Sequence, residues 1–234
     1  MTMLTITDGR ARENVVRAIN FWQAETCINF HPRTNEQHFV EFIGNDVGCW
    51  STVGKDEAIG RQVVSIGPGC EHFGVTSHEL AHSLGVFHEQ SRYDRDAVVQ
   101  LNRNVVDPTL LFNFAKIGPK ELSTYRLPYD VGSVMHYTPT EFSAFKQISA
   151  LTTVDPNLQQ TMGQMEGPSF LDILVLNLHY NCQVDAGAKF DYVEEETTTT
   201  TTTTTTAEPL QAMEILDTFN METDGLTTIM ARAA

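Results

Sequence analysis

The sequence predicts an α+β protein on three observations: short apolar runs between glycine-containing turns in residues 39–66, helical periodicity on either side of them, and a second half with few periodic stretches. Residues 3–7 read as a short strand. Glu13 to Ala24 sets Val16, Ala18, Ile19, Phe21 and Trp22 at helical spacing, an apolar stripe suited to a core rather than to a binding face. Phe39-Val40-Glu41-Phe42-Ile43, Cys49 to Val53 and Gln62 to Ile66 alternate or run apolar, which predicts three strands. A helix over about Val75 to Leu84 follows, and it carries the chemistry.

That helix contains His78-Glu79-Leu80-Ala81-His82, continued by Ser83-Leu84-Gly85-Val86-Phe87-His88-Glu89. Residues four apart share a helix face, so His78 and His82 can reach one metal ion with Glu79 beside them as a base. Gly85 allows the backbone to leave the helix through dihedrals that a Cβ resists, which brings His88 round to the same ion. Three neutral imidazoles leave a coordination position open for water, whereas structural zinc sites are closed by four protein ligands, usually including thiolates. An amphipathic helix with surface histidines explains the five-residue pattern alone. It gives no reason for a glycine at the break and a third histidine three residues beyond it. A second element, Ser133-Val134-Met135-His136-Tyr137, places its methionine 47 positions after His88.

His31, His38, His72 and His179 have no ligand-spaced partner and read as surface or core residues, and His136 belongs to the Ser133–Tyr137 element. Arg92, Asp94, Arg95 and Asp96 read as an ion-pair network holding the chain after the third histidine. The four cysteines, Cys27, Cys49, Cys70 and Cys182, allow three pairings that spacing does not separate. None forms a Cys-x-x-Cys pair, which argues against a structural zinc site or thioredoxin-like chemistry.

The charge is uneven. Of the net −15, residues 183–234 hold −8, from 2 basic and 10 acidic side chains. Such a field repels nucleic acid, and no basic cluster offsets it. Residues 183–234, built around Glu194-Glu195-Glu196 and the threonine run Thr197–Thr206, have no hydrophobic period and read as a disordered, acidic linker and tail. Pro209 to Phe219 has a weak helical pattern. No stretch approaches the roughly 18 apolar residues of a membrane span. The start, Met1 to Arg10, has neither a basic n-region nor a long apolar core and does not read as a secretory signal. Nothing in the sequence fixes an oligomeric state.

The zinc motif with Glu89, the Ser133–Tyr137 turn, Glu25-Thr26-Cys27-Ile28-Asn29-Phe30, Gly48-Cys49-Trp50-Ser51-Thr52-Val53-Gly54-Lys55, Gly163-Gln164 and Leu176-Asn177-Leu178-His179-Tyr180-Asn181-Cys182 together resemble the catalytic domain of astacin-family zinc endopeptidases. The resemblance implies a peptidase domain over residues 1–182, with its N-terminus truncated. It further implies a zincin/metzincin-like fold of two subdomains: an upper mixed sheet with the zinc helix, and a mostly irregular lower half. One Zn2+ per chain would be held by His78, His82 and His88, with Tyr137 as a further ligand at rest. Glu79 would be the general base and Tyr137 the oxyanion partner, over a soft floor at Met135. The strand at Val63-Val64-Ser65 would form the sheet edge that pairs with extended protein or peptide substrates. Disulfides Cys27–Cys182 and Cys49–Cys70 are implied, and with them an oxidising, extracellular location. In the family the mature N-terminus folds inward to the glutamate after the third histidine, here Glu89. Many members follow Gly-Gln with arginine and favour acidic residues beyond the cut. Met165-Glu166 stands there instead, so that preference does not carry over. The other reading is a zinc-binding, catalytically inert relative or fragment that serves as an interaction module.

Overall fold

The computed structural model describes residues 2–182, apart from 5, 7, 45, 46 and 56, together with residues 231–233. All of these belong to one compact unit. The expected tail and its weak helical pattern fall outside the described residues, except for the strand at 231–233.

The chain opens with β1 (Thr2–Leu4) and α1 (Gly9–Glu25). Asp8 caps α1 by accepting from the Ala11 N–H at 2.8 Å, which starts the helix earlier than the apolar pattern indicates. Its buried face is Ala11, Val15, Ala18 and Trp22, a spacing of three or four residues. Val16, expected in the core, is 46% exposed, because the stripe runs through Val15 instead.

The strands β2 (Phe39–Ile43), β3 (Cys49–Ser51) and β4 (Arg61–Ile66) follow. They join β1 and β7 (Ala231–Ala233) in a mixed sheet of order β1-β2-β4-β3-β7, parallel as far as β4 and antiparallel beyond it. The strand containing Val63, Val64 and Ser65 is therefore central, not the edge. The physical reason is in its composition: Val64, Ser65 and Ile66 are fully or almost fully buried, as suits a strand covered on both faces. β3, antiparallel and outside β4, takes the position toward that side of the sheet. It ends at Ser51, sooner than expected, and the chain then turns through Gly54, whose N–H donates to the His82 carbonyl at 2.8 Å.

Next comes α2 (Phe73–Ser83), buried from Thr76 to Ser83 without a polar face. It packs between the sheet and α1: Ser51 Oγ donates to the Glu79 carbonyl at 2.8 Å on one side, and Trp22 Nε1 reaches the Ser77 carbonyl at 3.4 Å on the other. At its start the backbone of Met165 lies so close that a Cβ on Gly74 would sit 1.9 Å from the Met165 carbonyl oxygen. One hydrophobic core joins α1, the sheet and α2 to Val134, Met135 and Leu176.

The second half is largely turns and short 3-10 segments around the two-stranded sheet of β5 (Val99–Leu101) and β6 (Leu151–Thr153). Its own core gathers Val99, Phe114, Val131, Leu151 and Tyr137, among others. The fold is thus α+β with an ordered upper half and an irregular lower half, and the segment Val134–Tyr137 enters both cores. The final helix, α3 (Phe170–His179), is not announced by periodicity. Its signal is local: Ser169 and Asp172 form a capping box, a spacing visible in the sequence.

Two disulfides clamp the upper half. Cys49–Cys70 ties β3 to the approach to α2, and Cys27–Cys182 ties the end of α1 to the end of α3. The loops they close span 21 and 155 positions. On the chain-entropy view, removing them costs about 3 and about 5 kcal/mol respectively. Serine pairs at 27/182 and at 49/70, compared by urea denaturation, should therefore rank with the 27/182 pair the less stable.

Candidate metal centre and active site

α2 ends in a Schellman motif. The Val86 N–H donates to the Ala81 carbonyl at 3.0 Å and the Gly85 N–H to the His82 carbonyl at 2.9 Å, with Gly85 at φ +102°. This turn carries the chain off the helix and returns His88 toward His78 and His82. The three rings are buried, and their Nε2 atoms converge: His82 to His88 at 3.2 Å and His88 to His78 at 3.3 Å.

Hydrogen bonds set the orientation of two of them. His78 Nδ1 donates to the Val134 carbonyl and His82 Nδ1 to the Val86 carbonyl, both at 2.7 Å. An Nδ1–H held by a carbonyl leaves the Nε2 lone pair facing inward. Burial favours the neutral rings: it pushes His78 down to about 4, and it holds His82 and His88 well below the usual imidazole value, helped by the neighbouring histidines. The Nε2 lone pairs of His78 and His82 face one point, and the Nε2 of His88 lies 3.2 and 3.3 Å from those of His82 and His78, a spacing at which one cation can be bound by all three. The donor set therefore fits a zinc ion, whose preferred ligands include neutral imidazole nitrogen.

Glu79 is fully buried on the same helix. Tyr137 packs against His88 with ring centroids 4.5 Å apart, and its backbone N–H donates to Gln90 Oε1 at 3.1 Å. Burial, the Glu141 carboxylate and that of Glu79 hold its hydroxyl protonated far above neutral pH. Met135 is buried beneath, with its carbonyl accepting the Glu89 N–H at 3.0 Å.

Behind His88 lies a cavity of about 230 Å³ bordered by Gly85, Glu89, Arg92, Tyr125, Asp130 and His179. Glu89 Oε1 accepts from Arg92 at 3.0 Å and from the Asp130 N–H at 2.8 Å, yet burial still pushes its carboxyl up to about 7. Arg92 also holds Asp94 at 2.7 Å and the carbonyls of Leu127 and Pro128, so the expected ion-pair network has its two arginines, Arg92 and Arg95, buried and its carboxylates, Asp94 and Asp96, at the surface. Of the remaining histidines, His136 is buried between the Tyr129 hydroxyl and the Tyr137 carbonyl, each at 2.8 Å. His179 bonds the Tyr125 hydroxyl at 2.7 Å and flanks Gly85. His38 lies 3.4 Å from Glu57. Gln90, Ser133 and Asp172, which brace the turn under the histidines, do not stand out in the sequence as site residues; only the capping-box spacing of Asp172 signals one of them.

Fold and site together define a metzincin-like domain. The model of the Astacin peptidase family matches residues 2–181, and the chain belongs to that family. It is 65% identical over 173 residues to zinc metalloproteinase nas-29 of Caenorhabditis elegans and 51% identical over 174 residues to zinc metalloproteinase nas-23 of the same organism. Each match covers 74% of this chain and 32% of the relative, so the chain spans about a third of the length of these proteins. Among solved structures it is similar to high choriolytic enzyme 1, a hatching enzyme zinc-protease from the medaka Oryzias latipes. That similarity has a TM-score of 0.70 and 34% identity, covering 78% of this chain and 90% of the other.

Two measurements probe this geometry. A Cβ at Gly85 meets both the positive φ and His179 Nε2 at 3.2 Å. Gly85→Ala should cost about 1–3 kcal/mol in chemical denaturation and weaken zinc retention against a chelator. His136 is held down to about 4 by burial, from an ordinary 6.5. On acidification the unfolded chain takes the proton first, so stability is lost from about pH 6.5 down to about 4, by roughly 3 kcal/mol for this residue. His136→Asn should flatten that part of the dependence of Tm on pH.

Proposed function

We propose that this chain is the catalytic domain of a zinc-dependent endopeptidase that cuts peptide bonds within extended protein substrates. The observation that carries the reading is the convergence of His78, His82 and His88, three buried imidazoles whose nitrogens lie within 4.8 Å of one another, beside Glu79 on the same helix. His78, His82 and His88 would hold one Zn2+, with Tyr137 as a further, displaceable ligand. Zinc in such a site lowers the pKa of water and polarises a carbonyl.

The chain's own residues supply the rest. Glu79 accepts the proton of the attacking water and later hands it to the leaving amine. Its burial places that carboxylate where little water competes for the proton. Tyr137, protonated at working pH, donates to the oxygen that gains charge in the transition state. The family and the two disulfides support a secreted protein, with residues 1–182 as the core of the peptidase domain and the chain after it as a linker up to the strand at 231–233, which joins the sheet. An inert relative is the less favoured reading, because ligands and base are all present and buried together.

Glu79→Gln separates binding from chemistry. Hydrolysis of a quenched peptide pool should fall by about 10²- to 10⁴-fold while one zinc per chain remains by metal titration. Tyr137→Phe should lower kcat by about 10²-fold with little change in KM. Retained hydrolysis in Glu79→Gln would sink the assignment of the base.

A further inference from the structure

The Val134–Met135 peptide is aligned between His78 and a buried carboxylate, Asp172. His78 Nδ1–H donates to the Val134 carbonyl at 2.7 Å. The N–H of the same peptide unit, that of Met135, donates to Ser133 Oγ at 2.9 Å. The Ser133 hydroxyl in turn donates to Asp172 Oδ1 at 2.6 Å. Every donor in this line points toward Asp172, so each bond polarises the next in the same sense.

Asp172 is otherwise committed as an acceptor. Its Oδ2 takes the N–H groups of Val134 at 2.9 Å and Ser169 at 2.8 Å. Three donors converging on two oxygens require a carboxylate that accepts on both sides, and the residue is only 6% exposed. A capping box for α3 accounts for the Ser169 contact. It does not account for the two bonds to the turn under the histidines.

We infer that Asp172 is a positioning residue for His78, acting through Ser133 and the Val134–Met135 peptide: a carboxylate–hydroxyl–peptide–imidazole relay that fixes the ring and raises the basicity of its Nε2 toward the metal. A carboxylate bonded directly to a ligating imidazole does this in many metal sites. Here the same polarity is delivered at one remove, from a different helix. The inference rests on the reading of His78 as a zinc ligand.

The test compares Ser133→Ala, Asp172→Asn and Ser169→Ala in the oxidised full chain. Ser133→Ala cuts the relay and leaves Asp172 its two backbone partners. Ser169→Ala removes the α3 cap and leaves the relay whole. Zinc affinity is read by competition with a chromophoric chelator, the ligand field by the visible spectrum of the cobalt(II) form, and folding by circular dichroism and Tm. Ser133→Ala and Asp172→Asn should each weaken zinc binding by about tenfold and shift the cobalt bands, and Ser169→Ala should lower Tm while leaving affinity and spectrum at the wild-type values. Wild-type affinity and spectrum in Ser133→Ala and Asp172→Asn would overturn the relay. So would an equal loss of affinity in Ser169→Ala, or failure of both relay variants to fold, since either makes the contacts structural alone. A wild-type chain that binds no zinc would sink the reading of the histidines instead.

Discussion

Three imidazoles share one buried space in this protein only because their faces are assigned: Nδ1–H of His78 and His82 to backbone carbonyls, and Nε2 inward. Neutral rings are cheap to bury, and lone pairs directed at a common point are costly unless a cation accepts them. Most of the surrounding structure follows from that constraint. α2 must be rigid and covered on all sides, so it lies between the sheet and α1. The carbonyls that orient the rings must arrive from outside the helix, one from the loop after Gly85 and one from the turn at Val134.

The turn at Ser133–Tyr137 is accordingly held from several directions. Gln90 fixes the Tyr137 N–H, the Met135 carbonyl accepts from Glu89, and Asp172 grips the Ser133 hydroxyl and the Val134 N–H. Val134 and Met135 pack into the upper core while Tyr137 packs into the lower one. A shift of either half is felt at this turn, and so at the rings it aims. Glu89 and Arg92 extend the clamp: their buried ion pair reaches the carbonyls of Leu127 and Pro128 and the amide of Asp130, just before the turn.

What the sequence made legible was local. The histidines, Glu79 and the Gly85 break lie within one helix and its exit, where spacing maps directly onto geometry, and the early strands announced themselves by short apolar runs. What it hid was relational. His78 and the carbonyl that orients it are 56 positions apart, and Ser133 and Asp172 are 39 apart, distances at which a single chain carries no periodic signal. The placement of Val63–Ser65 at the sheet edge failed for a related reason. Strand order is a property of neighbours, and the polar Arg61, Gln62 and Ser65 of β4 hid from the sequence that Val64, Ser65 and Ile66 are buried at a central position. Of the expected α1 stripe Ala18 and Trp22 are buried, but Val15 and not Val16 continues it, because Val16 lies two residues from Ala18 and so about 200° round the helix from it.

The separation between His78 and the groups that aim it bears on the order of synthesis. A chain leaving the ribosome presents His78, His82 and His88 together and early, before the turn at Val134, the helix bearing Asp172 or the cysteine that pairs with Cys27 exists. Contacts of such long sequence range close late in folding. A nascent chain therefore holds the three imidazoles, and the Val86 carbonyl that aims His82, well before it has the Val134 carbonyl that aims His78. The aiming of His78 belongs to a later stretch of the chain than the histidines themselves.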